Sequence, residues 1–74
     1  MNNKEVCIYN NIVDFLEKSD TICKKDNKWF AIGYLEALKM QSILTYKEVY
    51  KIMKDLVENE ILWVENVHYT LVNY

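Results

Sequence analysis

The sequence predicts a small α+β domain, mainly α, in which three helices precede a short C-terminal β-hairpin. Three observations carry that expectation. Apolar residues recur at spacings of three and four through three successive segments. A helix-opening box, Thr45-Tyr46-Lys47-Glu48, starts the third of them. From Ile61 onward the composition turns to β-branched and aromatic residues. The chain has 74 residues, and residues 1–74 read as one small domain. A domain of this size buries only about 60% of the surface its unfolded chain exposes, so its stability margin is small.

The first segment covers residues 3–18, where Val6, Tyr9, Ile12, Val13 and Leu16 keep the helical period. Ile8 and Phe15 widen the apolar arc, which predicts packing against more than one neighbour. Asn2 or Asn3 can cap this helix, and Glu5 is placed to reach back to a free amide. Residues 19–26 are polar apart from Ile22 and Cys23 and read as a solvated connection.

The second segment, residues 27–41, has a stripe of Phe30, Tyr34, Ala37 and Leu38. Trp29, Ala31, Ile32 and Leu35 enlarge it. Gly33 sits mid-helix, where glycine costs about 1 kcal/mol relative to alanine. Close approach of another backbone is one reason to keep it, and simple drift is the other.

In the third segment Leu44 and Val49 are placed as a hydrophobic staple around the Thr45 cap. Val49, Ile52, Met53, Leu56 and Val57 then define one apolar face, predicting a helix over 46–59. Lys51 with Asp55 and Lys54 with Glu58 are opposite charges four apart on the outer surface. Only residues 42–44 link the second and third helices, which predicts a helical hairpin.

The fourth segment, residues 61–74, reads as strands 61–64 and 67–72 around a Glu65-Asn66 turn. That register puts Leu62, Val64, Val67, Tyr69 and Leu71 on one face, and Ile61, Trp63, His68, Thr70 and Val72 on the other. The turn has no glycine, so a single strand or a helical extension to about Val67 stays open.

Composition narrows the function classes. Apolar residues make up 51% and charged residues 27%, which is globular and not disordered. No apolar run approaches the roughly 20 residues of a membrane span. The start, Met1 to Glu5, lacks the basic and apolar regions of a signal peptide, so the expected location is cytoplasmic. The net charge is −2, and all nine basic residues are lysine. The guanidinium fork that reads guanine is therefore missing. Cys7 and Cys23 are expected to be buried or half-buried packing thiols, with no metal set and no cofactor site. One glycine cannot build a phosphate loop, and His68 is the only histidine. The expectation is a protein that is not an enzyme.

Six tyrosines, two tryptophans and two phenylalanines exceed what so small a core can hide. Tyr46, Tyr50, Trp63 and Tyr74 are the candidate residues for docking a protein partner, because such side chains dominate interface energetics. The stretch Gly33-Tyr34-Leu35-Glu36-Ala37-Leu38, with Ile43-Leu44-Thr45-Tyr46-Lys47-Glu48, resembles a helical hairpin of small phage and mobile-element accessory proteins from AT-rich Gram-positive bacteria. Anti-CRISPR inhibitors are among them. The resemblance covers residues 33 to about 57 and implies inhibition of a host defence protein by binding; it transfers no functional residue. The alternative is a winged-helix DNA-binding domain, with Lys47, Lys51 and Lys54 on phosphates and residues 61–72 as the wing. A homodimer that completes the apolar faces of the first helix and the C-terminal strands is a further expectation.

Overall fold

The first helix is set by its own cap. In the computed structural model, which describes residues 1–73, α1 spans Asn3–Lys18. The Asn2 side chain accepts from the Glu5 amide at 2.8 Å, and Glu5 Oε1 accepts from the Asn2 amide at 2.9 Å. The same reciprocal box opens α3 (Tyr46–Glu58), where Glu48 N donates to Thr45 Oγ1 at 3.2 Å and Thr45 N to Glu48 Oε1 at 2.9 Å. Between them lies α2 (Lys28–Met40), which starts without a side-chain cap. Asn27 serves another purpose there. Buried, it donates to the carbonyls of Thr21 and Ile61, tying the 19–27 connection to the chain beyond α3.

All three helices stop in the same way. Asp20, Ser42 and Glu60 follow the helix ends with φ of 57, 62 and 60°. One residue later an amide returns into the last turn. Thr21 donates to Leu16, Ile43 to Leu38 and Ile61 to Leu56, each at 2.9 Å. This is the Schellman closure, for which glycine is the usual residue. The only glycine is elsewhere: Gly33 lies within α2 and has no positive φ.

The core is organised around α3. Its Val49, Ile52, Met53 and Leu56 are fully buried, and α1, α2 and the short α4 (Val67–Val72) all pack against it. Ile8, Ile12 and Leu16 come from α1, and Ala31, Ile32 and Leu35 from α2. Asn11 bonds Tyr34, and one turn on Phe15 stacks on Phe30, so α1 and α2 run antiparallel. The accessible surface of 4774 Å² matches the ~4,800 Å² of a compact monomer of this mass. The Ile8, Ile12 and Leu16 face of α1 is covered within the chain.

The C-terminal segment corrects the fold class. No residue among those described is in a strand, and the architecture is four helices. The expected β-hairpin is absent. Residues 61–66 are non-helical, with Leu62 and Val64 buried and Trp63 turned out. Asn66, at the expected turn, is the cap of α4: its side chain accepts from the Tyr69 amide at 2.8 Å. Two reasons favour the helix. A two-stranded hairpin with no third strand is marginal in water. A capped helix satisfies its own amides while delivering Leu71 to the core. Tyr69, expected on the core face, is therefore exposed. The wing of the winged-helix alternative is gone with the hairpin.

Other faces shift too. Val6, Phe15 and Trp29 are exposed, and Phe30, Tyr34 and Leu38 only half-buried. Cys7 and Cys23 are exposed free thiols, contrary to the packing role expected of them. Cys7 lies off the Ile8, Ile12 and Leu16 stripe, and Cys23 sits in the connection with φ 56°.

The α3 box also has an acid limit. Hydrogen bonding from the Thr45 backbone, aided by Lys4, holds the Glu48 carboxyl below its ordinary value. A depressed folded pKa means stability that is present above the unfolded value and lost as pH falls through the folded one. Glu48→Gln should therefore destabilise the protein at neutral pH, and the gap from wild type should close below the ordinary carboxylate range. Urea titrations at neutral and strongly acidic pH check this; a pH-independent gap would refute it.

Candidate functional site

The core leaves three groups of rings at the surface. The first surrounds Lys28, at the start of α2. Its ammonium lies 5.2 Å from the Trp29 ring centre and 5.7 Å from that of Trp63, both within cation–π reach. Trp29 is 49% exposed, Trp63 43% and Tyr69 66%. Local folding sets each position. At the helical repeat, Trp29 falls off the face made by Ala31, Ile32 and Leu35. Trp63 points out because Leu62 and Val64, on either side, point in. Tyr69 lies in the first turn of α4, above the Asn66 cap. A cleft of about 370 Å³ opens here, lined by Lys25, Lys28, Trp63, Glu65 and Tyr69.

The second group joins α3 to α4. Tyr46 and Tyr50 stack with centres 6.4 Å apart, and the Tyr46 hydroxyl is 2.9 Å from His68 Nδ1. Lys39 and Lys54 approach these rings, each at 5.9 Å. These side chains largely satisfy one another, and Tyr50 is half-buried.

The third group, Phe15 and Phe30 at 4.0 Å, floors a hollow of about 490 Å³ with Leu16, beside Lys24, Lys25 and Asn27.

The expected docking residues are thus divided. Tyr46 and Tyr50 come together, whereas Trp63 makes no ring contact with either among the described residues. Tyr74 lies outside the described residues. Lys28, Trp29 and Tyr69 are not among the residues that the sequence marks for docking. Apolar residues surround most of α2, so the sequence holds no clear signal for Trp29; that for Tyr69 requires recognising Asn66 as a cap.

The lysines proposed for phosphate contact line one groove of α3 with Tyr50, Asp55 and Glu58. Lys51 pairs with the buried Glu5 and Lys54 with Glu58, each at 3.9 Å, and Glu48 pairs with Lys4 at 3.2 Å. Carboxylates therefore oppose Lys51 and Lys54, whereas Lys47 has no ion pair among the described residues.

Among the described residues no helix is long and apolar enough to cross a membrane, and no group of His, Cys, Asp or Glu is arranged to hold a metal ion. No family model, curated protein or solved structure matches the chain.

Proposed function

We propose that the protein is a binding module that docks a protein partner through the surface of Trp29, Trp63 and Tyr69 around Lys28. One observation carries this: two half-exposed tryptophan rings share a single ammonium group. Tryptophan and tyrosine supply large apolar area with a polar edge at small entropic cost, and they dominate binding hot spots. The core closes without these rings, which leaves their apolar area to be covered by another molecule. Inhibition of a host defence protein is the specific form implied by the resemblance in residues 33–57, and it stands on that resemblance alone.

Affinity capture from the source organism, quantified by mass spectrometry, tests the surface. Trp63→Ala should reduce recovery of the true partner about 30-fold, the size of a 2 kcal/mol hot spot. Tyr50→Ala should leave recovery near wild type. Equal recovery by both variants removes this surface from the docking role, and loss with Tyr50→Ala alone moves it to the Tyr46–His68 face.

A further inference from the structure

We infer that the docked partner presents an acidic segment with apolar anchors, laid along a basic ridge of Lys24, Lys25 and Lys28. The inference rests on the docking role proposed above and names the chemistry of its partner. The chain as a whole carries a charge of −2. Lys4, Lys18, Lys39, Lys51 and Lys54 are each paired with a carboxylate. Of the four lysines with no ion pair among the described residues, Lys47 stands apart on α3, and Lys24, Lys25 and Lys28 are neighbours in sequence at the entrance to α2. Here the local sign of an acidic protein reverses.

The ridge separates two recesses, one apolar and one of mixed lining with rings at its border. On one side is the hollow floored by Phe15, Leu16 and Phe30; on the other is the cleft bordered by Trp63 and Tyr69. Lys25 lines both. Carboxylates of a peptide chain can bond the ammonium groups while neighbouring apolar side chains enter the recesses. Asp26 borders the hollow and Glu65 the cleft. A nucleic acid, charged at every phosphate, meets both of those carboxylates. A peptide can place uncharged residues opposite them, so an acidic protein segment is favoured over a polynucleotide.

Selection of short random peptides on the full chain, followed by fluorescence titration of an enriched peptide, tests this. Enriched sequences should pair Asp or Glu with an aromatic or long aliphatic residue. Binding should weaken at least about tenfold in Lys25→Glu/Lys28→Glu, and several-fold as NaCl rises from about 50 to 300 mM. Circular dichroism confirms that each variant is folded. Enriched peptides without acidic excess, or acidic ones that bind the double variant as well as wild type, overturn the inference. In that case the docking surface itself survives only where Trp63→Ala abolishes binding. Absence of any enrichment overturns the inference, and oligothymidylate binding tighter than every peptide overturns both it and the docking role.

Discussion

Ile52→Ala is expected to lower the thermal midpoint more than any exposed substitution in the chain. Ile52 is fully buried on α3, the helix against which the other three pack. Truncating such a residue removes its transfer free energy and leaves a cavity, at a cost of about 2–5 kcal/mol. Neighbours on several sides are held by their own helices, so the cavity cannot readily collapse. A domain of this length has roughly 4–11 kcal/mol of stability in total. The variant should therefore melt at least about 10 °C lower, with a measurable unfolded fraction at 37 °C. Tyr69→Ala is the control: its ring is exposed, so its effect should stay within about 0.5 kcal/mol. Melting curves followed by circular dichroism decide it, and equal shifts for the two variants would mean that α3 is not the centre of the fold.

The opposite sign is expected at the helix ends. Asp20→Gly, Ser42→Gly and Glu60→Gly together should raise stability by about 2 kcal/mol. Each residue sits at φ near 60° in a Schellman closure. The left-handed region costs an L-residue with a Cβ about 1–2 kcal/mol, and glycine escapes that penalty. Glycine's greater freedom in the unfolded chain returns about 0.5–1 kcal/mol of it. The net is about 0.5–1 kcal/mol per site, and three separate helix ends should add. Removing Asp20 and Glu60 also takes negative charge away from helix C-termini, where it is unfavourable. Glu60→Gln isolates that part, since it removes the charge and keeps the side chain. The triple variant should melt about 10 °C higher. Lys47→Gly, in the first turn of α3, should instead lower the midpoint, because there glycine relieves no strain. A triple variant that melts at or below wild type would show that these φ values carry no strain.

The docking surface was only partly legible in the sequence. The excess of rings over core capacity pointed to exposed aromatics, and Trp63 is one of them. Trp29 falls within a broad apolar stripe, because nine apolar residues in one helix do not reveal which of them face a neighbour. Ala31, Ile32 and Leu35 are the buried residues of α2, which packs on α3, and that choice leaves Trp29 outside. Lys28 carries no signal of its own. It becomes part of the site only when the chain beyond α3 brings Trp63 to it.

Sequence by itself determined the three long helices, the capping box of Thr45–Glu48 and the buried face of α3, and left the first cap between Asn2 and Asn3. These are local matters: a cap is settled within four residues, and a stripe by a repeat of 3.6. Tertiary structure alone decided the fate of residues 61–73 and the identity of the exposed rings. Val67, Thr70 and Val72 prefer strands by composition, yet they lie in a helix. The reason is that the described residues offer no other strand for them to join, while α3 offers Leu62, Val64 and Leu71 a place to be buried.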